Sequence, residues 1–533
     1  MLRLRTLSLI LPLLLAACAA PGPANNKAPS LTLLHLNDTY RIDAVEDGNR
    51  GGFGRVTTLI RELRREGRDV RLLHGGDFLY PSLESQLWDG EQIVEAFNFM
   101  DALAPMYVVP GNHEFDQRTS GVLVDAVRQS EFEWIADNQR FVTGEADVDS
   151  RLRQGYVTDM GPYRVGIVGL TLHADDGGYD REYAPIEPDY AAVAARAIAE
   201  LERQDADVII GLTHLHLDDD RRVARLRAAH PRFVLIAGGH EHEPEFESAT
   251  PGSAAIVKGA SNARTIWRID ISGDPADGVP DVTTTQIAVD DSIAPDPAYT
   301  ALADKWRGRL LDLMPYLPAK IGTAAVPLDS REVTVRNEES NWGNFIVDQM
   351  RGAYGDPEAD LAFINSGTLR IDDFILDDIT FEDIGRTFGF SSYLRHMTIS
   401  GEDFRNLLEA GYRGTGPSKG YFPQVSGFRV CVDRRQPDGD RIVSLQTPSD
   451  DGWRDIDNDA AYSLVAPDFL YGGGDGYDFS VATDVSRAGS ELKYLVVDAI
   501  MNAQAAGEPV GAPVDSDNPR IDILGDGNEA CFD

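Results

Sequence analysis

A chain of 533 residues exceeds what one hydrophobic core usually serves, so two domains are expected. Ordinary apolar content and mixed charge mark a globular protein, while a formal net charge of −38 at pH 7 argues against nucleic acid as a partner and for repulsion from anionic membranes. Function must be sought in the placement of polar residues along the strands.

Arg3 and Arg5 precede an apolar run over 7–15 that ends in Ala16-Ala17-Cys18, the pattern of a secretory signal. The run is too short to span a bilayer. Leu15-Ala16-Ala17-Cys18 resembles a bacterial lipobox, which implies a lipoprotein signal peptide over 1–17, a lipid on Cys18 and a tether over 18–30. The resemblance implies a bacterial cell-envelope protein, periplasm-facing or at the surface, touching the membrane only through that anchor. Ala19, rather than Asp, after the Cys resembles outer-membrane sorting. Cys431 and Cys531 are available to pair in an oxidising compartment, a point that spacing alone leaves open.

From 31 to 295, strand-like runs alternate with amphipathic helices, the mark of a layered α/β domain. Val56, Leu59, Ile60 and Leu63 fall on one helical face. Further helices are read over 92–103, 190–204 and 219–229, whereas 272–297 is rich in Asp, Pro and Gly with few helix signals. A helix over 299–313, inside a linker spanning 296–320, stops at Met314-Pro315 as proline requires. A second, smaller α/β unit follows over 321–524, with helices over 342–354 and 401–412 and strands over 361–364, 428–432 and 462–466. Residues 525–533 read as a polar tail.

Five apolar runs of the first unit end in polar residues beside Gly or Asn: LLHLNDTY (33–40), LLHGGDF (72–78), VVPGNHEFD (108–116), VIIGLTH (208–214) and VLIAGGHEH (234–242). Each reads as a buried parallel strand carrying a ligand at its carboxyl end, where open α/β sheets place their sites. Asp38, Asp77, Asn112, His214, His240 and His242 form a mixed nitrogen and oxygen donor set suited to Zn, Mn or Fe. Glu114 is read as structural or as backing the site. His35, His74 and His173 are read as core or supporting imidazoles, and His216, His230 and His396 as packing or surface residues.

These motifs resemble the calcineurin-like metallophosphatases, and specifically the bacterial 5′-nucleotidase/UDP-sugar hydrolase family. The resemblance implies a four-layer αββα sandwich over 31–295 and a smaller nucleotide-binding α/β domain over 321–524. It implies two divalent metal ions, one on Asp38, Asp77 and His242, the other on Asp77, Asn112, His214 and His240. His113 with Asp116 would form the catalytic dyad, and a metal-bound hydroxide would attack the phosphate of a nucleotide.

One residue departs from the family pattern. The usual D-x-H is Asp38-Thr39-Tyr40, and a neutral phenol is a poor ligand whose ionisation at pH 7 costs about 4 kcal/mol. Tyr80 lies in a GD-x-x-Y spacing seen in purple acid phosphatases, so Tyr40 and Tyr80 are read either as neighbours of the site or as ligands, with iron in one position as the variant cofactor.

In the second unit, Ile364–Arg370, Gly420–Gly427 and Phe469–Tyr477, along with Arg336–Asn344, resemble the nucleotide-binding domain of that family. This implies Phe422 and Phe469 around a base, Asp475 on the ribose hydroxyls and Arg370 on the phosphate. Ser366 stands where some members carry another Arg, and Arg395 is a further candidate. The expected activity is phosphate removal from nucleotides, with no protein partner. The alternatives are a related phosphoesterase acting on cyclic nucleotides, UDP-sugars or sulfur esters, or a non-catalytic nucleotide-binding lipoprotein.

Overall fold

Alternation along each strand sorts side chains to two faces, and both faces are covered. In the strand Leu31–Leu36, Leu31 and Leu33 enter one apolar cluster and Leu34 and Leu36 another. The strand Val208–His214 behaves alike, with Ile210 and Leu212 on one face and Ile209 on the other. The computed structural model describes residues 31–533 apart from 117–119, 173–182, 186–188, 356, 415–418, 488, 526–527, 529 and 533. The expected signal peptide, Cys18, the tether and His173 lie outside the described residues. Among those described, no helix is long and apolar enough to cross a membrane.

Beside a small two-stranded pair, Gln139–Phe141 and Tyr183–Pro185, two large sheets build the first domain. One has seven strands, with Leu31–Leu36, Val70–His74 and Met106–Val108 adjacent and parallel at its centre. The other has six, with Phe233–Gly238, Val208–His214 and Tyr163–Thr171 likewise parallel. Leu33, Leu73, Ile210, Leu235 and Ile269 fill the space between the sheets. The outer face of the first sheet buries the helices Phe53–Arg65 and Glu91–Asp101, and that of the second buries Tyr190–Arg203 and Leu217–Ala224. The order is helix, sheet, sheet, helix, the expected four layers.

The second domain is smaller. The strands Leu394–Ser400, Ala461–Pro467, Leu361–Asn365 and Pro423–Ser426 form its main sheet in that spatial order. The helices Asn341–Gly352 and Leu492–Ala506 contribute to one of its apolar clusters, and Gly401–Glu409 to the other. The connecting helix Pro297–Leu313 is capped by the Asp296 carboxylate, which accepts the N–H groups of Ala298 and Tyr299. It does not bridge open space: Tyr299 and Trp306 sit in the core of the first domain, and Leu310 meets Leu83 and Leu317.

Two segments are more ordered than their sequences suggest. Asp281–Ala288, within the stretch of weak signals, pairs antiparallel with Thr265–Ser272 at a sheet edge. Thr283 and Thr285 are exposed and none of its residues is fully buried, so no apolar run announced it. The polar tail is anchored: Cys531 is disulfide-bonded to Cys431, Asn528 donates to Asp522 at 2.6 Å, and Phe532 lies 3.9 Å under the Arg429 guanidinium. Closing a loop of 100 residues restricts the unfolded chain. Replacing both cysteines by serine is therefore expected to lower unfolding free energy in urea by about 2–5 kcal/mol, and an unchanged midpoint would contradict it.

Candidate metal centre

Four of the six ligand candidates sit in a backbone conformation that few residues adopt, while Asn112 is in the right-handed helical region and His214 ends its strand. Asp38, Asp77, His240 and His242 have φ of 52°, 59°, 87° and 65°, all in the left-handed region. Such conformations cost roughly 1–3 kcal/mol each and persist where the surroundings fix them. Glycines make room: a Cβ on Gly111 would collide with the Asp77 carboxylate, and one on Gly239 with the Gly75 carbonyl.

The turns bring Asp38, Asp77 and His242 together, all buried, with one donor atom from each within 4.8 Å of the others. His242 Nε2 lies 3.2 Å from Asp38 Oδ1. On the other side of Asp77, His214 Nε2 stands 3.2 Å from Asp77 Oδ2 and 3.2 Å from Asn112 Oδ1. The Gly75 carbonyl accepts from His214 Nδ1 at 2.7 Å, which fixes the tautomer and leaves Nε2 to face the carboxylate. His240 donates its backbone N–H to Asp38 Oδ2 at 2.8 Å, and its ring packs edge-on to His214 and His216. His216 therefore backs the site more closely than its reading as a packing residue suggested.

Electrostatics mark the pocket as built for cations. Burial pushes the Asp77 carboxyl up, but His214 and His113 outweigh it and hold it below the ordinary range; His242 does the same for Asp38. Burial disfavours a charged His214, yet Asp77 and Asp38 raise it to about 10. For His242, burial and Arg336 oppose a charge, and Glu332 and Asp38 prevail, raising it. Protons on imidazoles thus balance carboxylates that a metal would otherwise neutralise. The donor set of Asp38, Asp77 and His242 fits a divalent metal ion.

Tyr40 points into this group. Its hydroxyl is 2.9 Å from His242 Nε2 and 3.4 Å from both Asp38 Oδ1 and Asp77 Oδ2. Burial, then Asp77 and Asp38, push the phenol well above its usual value, so it is neutral here. Tyr80 instead packs edge-on against Phe390.

His113 donates its backbone N–H to Asp77 Oδ1 at 2.8 Å, and its ring Nδ1 is hydrogen-bonded to Asp116 Oδ2. Arg370, from the second domain, donates to His113 Nε2 at 2.8 Å. An Arg can only donate, so Nε2 accepts and Nδ1 carries the proton toward Asp116. The Arg370 guanidinium also lies 4.9 Å from the Tyr40 ring centre and 5.3 Å from that of Phe390.

Supporting residues hold the turns. Glu114 is fully buried and accepts the N–H groups of Asp77 (2.9 Å), Phe78 (2.7 Å), Leu79 (3.0 Å) and Gly111 (2.5 Å). It staples the two loops that carry Asp77 and Asn112. Burial and the Asp77 charge raise it to about 7 against those donors. Buried Lys258 donates to the Gly239 and Leu215 carbonyls and pairs with Glu241 and Asp220, fixing the loop of His240 and His242. His35 and His74 are buried neutral imidazoles, lowered to about 4 and about 3 chiefly by burial. His230 pairs with Glu202, and His396 packs on Tyr354.

In the second domain Asp475 Oδ2 accepts from Asn365 at 2.8 Å, and Phe469 is 47% exposed. Phe422 differs from expectation: it is 2% exposed and packs on Tyr412 in the core, so in this arrangement Phe469 alone of the two offers an open face. Ser366 is buried and donates to the Lys419 and Gly420 carbonyls. Arg395 is taken up by the Ser486 carbonyl and the Tyr471 ring.

The calcineurin-like phosphoesterase family matches residues 31–244, and the 5′-nucleotidase C-terminal domain matches residues 320–483. This places the chain among metal-dependent phosphoester hydrolases. More particularly, it belongs to the calcineurin-like phosphoesterases that carry a 5′-nucleotidase C-terminal domain. The 5′-nucleotidase of Homo sapiens is 26% identical over 519 residues, covering 87% of each chain. The trifunctional nucleotide phosphoesterase protein YfkN of Bacillus subtilis (strain 168) is 25% identical over 89% of this chain and 34% of its own. Two solved structures share the fold. The 5′-nucleotidase precursor of Thermus thermophilus superposes with a TM-score of 0.78 at 23% identity, over 93% of this chain and 99% of that one. The sulfate thiohydrolase SoxB of the same species gives 0.71 at 17% identity, over 94% and 98%.

Two outcomes follow from this geometry. Glu114→Gln presents an NH₂ where N–H donors now converge, and is expected to destabilise the chain by about 3 kcal/mol and to weaken metal uptake; equal melting and uptake would contradict the staple. A cation taking His214 as a ligand, as the sequence implies, would displace the proton that Asp77 and Asp38 keep on it up to about pH 10. Mn²⁺ affinity, measured by titration between pH 6 and 8, should therefore rise with pH, by up to about tenfold per unit for each displaced proton; a flat profile would contradict it.

Proposed function

We propose that this chain is an exported dinuclear-metal phosphohydrolase that removes phosphate from nucleotides, in the manner of a 5′-nucleotidase. The observation that carries the reading is the cross-domain bond of Arg370 to His113 Nε2, 3.8 Å from Asp77. It sets a phosphate-seeking guanidinium from the nucleotide-domain side directly against the metal-centre side. The names of the relatives, human 5′-nucleotidase and YfkN among them, point to the same substrate class.

One cation would be held by Asp38, Asp77 and His242, the other by Asp77, Asn112, His214 and His240. Bound there, the pair supplies Lewis acidity at the phosphoryl group and acidifies the attacking water. Tyr40, a neutral phenol within 3.4 Å of both carboxylates, stands beside that position, and iron there is the variant that would require the phenol to ionise.

The protein groups divide the remaining work. Arg370 presents a planar fork that turns from His113 to the phosphoryl oxygens when a phosphate enters. That movement frees His113 Nε2. In its protonated form, which Asp116 stabilises through Nδ1, His113 donates a proton to the leaving alkoxide. Phe469 offers a face for the base, stacking worth about 1–3 kcal/mol, and Asp475 accepts from the ribose hydroxyls. Cleavage before Cys18 and its lipidation would hold the enzyme at the cell envelope.

The test is phosphate release from AMP, ADP, ATP, UDP-glucose and 2′,3′-cyclic AMP, with metal analysis on the same sample. Release from a nucleotide monophosphate, lost by at least a hundredfold in His113→Ala while the metals stay bound, is the expected result. Two bound metals with no release from any of the five would contradict the assignment.

A further inference from the structure

Glu332 belongs to the second domain, on the short helix Glu332–Val335, yet its carboxylate reaches the metal-centre imidazole of the first. Its Oε2 accepts from His242 Nδ1 at 2.8 Å and from the Ser261 hydroxyl at 2.7 Å, while Oε1 accepts from Arg336 at 2.7 Å. The side chain is 2% exposed. Asp372 accepts the Glu332 backbone N–H at 3.0 Å and pairs with Arg264 of the first domain at 3.2 Å, so the approach is fixed from both sides. No sequence motif singles out Glu332.

We propose that Glu332 is a positioning residue for the metal centre, holding His242 by its Nδ1 across the domain interface so that metal binding and docking of the two domains favour each other. A carboxylate on the far nitrogen of a ligating histidine fixes the tautomer and ring orientation and raises ligand basicity; losing such a partner costs about 10–100-fold in metal affinity as a rule. Here the partner comes from another domain and is withdrawn whenever the domains part. By linkage, a cation that binds better with Glu332 in place favours the docked arrangement by the same factor. The inference rests on His242 as a ligand, as proposed above, and adds that the second domain completes that ligand.

The experiment is Mn²⁺ titration of the full chain by calorimetry for wild type, Glu332→Gln, Glu332→Asp and His242→Ala, with small-angle scattering before and after metal. Glu332→Asp keeps the charge for Arg336 but draws the oxygen back from His242, so it separates contact from charge balance. Both Glu332 variants are expected to weaken one Mn²⁺ site by about 10–100-fold and leave the other within about twofold. Mn²⁺ is expected to shift wild type toward the compact form more than either variant. Affinity unchanged in both Glu332 variants, or equal compaction in all three proteins, would overturn the proposal while leaving the ligand assignment intact. Affinity unchanged in His242→Ala as well would overturn the ligand assignment and the proposal together.

Discussion

Two carboxylates buried side by side set the terms for this structure. Asp38 and Asp77 are both almost fully buried and present oxygens within 4.8 Å of a shared imidazole nitrogen. Two unit charges about 4 Å apart repel by about 4 kcal/mol at an effective dielectric constant near 20, and burial adds its own penalty. Such a pair persists only if positive charge and N–H donors surround it. His214, His242, the backbone N–H groups of His113 and His240 and the Asn37 amide all meet that demand. What opposes folding without a cation is what binds one.

The fold supplies this arrangement through strand ends rather than through loops free to choose. Parallel strands from two facing sheets end at one rim, so residues as distant as Asp38, Asn112 and His242 arrive within one site. Left-handed turns then carry Asp38, Asp77, His240 and His242, and two buried side chains hold the loops: Glu114 those of Asp77 and Asn112, Lys258 that of His240 and His242. The second domain closes over the rim with Arg370 and Glu332 and adds ion pairs of Arg386 with Glu84 and Asp43. Chemistry at the rim is thereby tied to the position of both domains.

Much of this was legible because short-range pattern carried it. An apolar run, a Gly and then Asp or His is local information, and the helices predicted from periodicity recur within a few residues of their expected bounds. What escaped was long-range or conformational. Glu332, Asn37 and Lys258 look like any polar residues until folding sets them against His242, Asp38 and Glu241. The edge strand Asp281–Ala288 has no buried face to reveal it, and the tail was ordered by a disulfide that spacing could not assign. Phe422 was assigned by motif to a base, whereas here it lies buried in an apolar cluster of the second domain, edge-on to Tyr412, neighbours that tertiary packing sets.

The most direct measurement is anomalous diffraction from crystals grown with Mn²⁺. Two peaks about 3.5–4 Å apart are expected on either side of Asp77, one touching Asp38 and His242 and the other Asn112, His214 and His240. A single peak, or ions bound away from Asp77, would contradict the assignment.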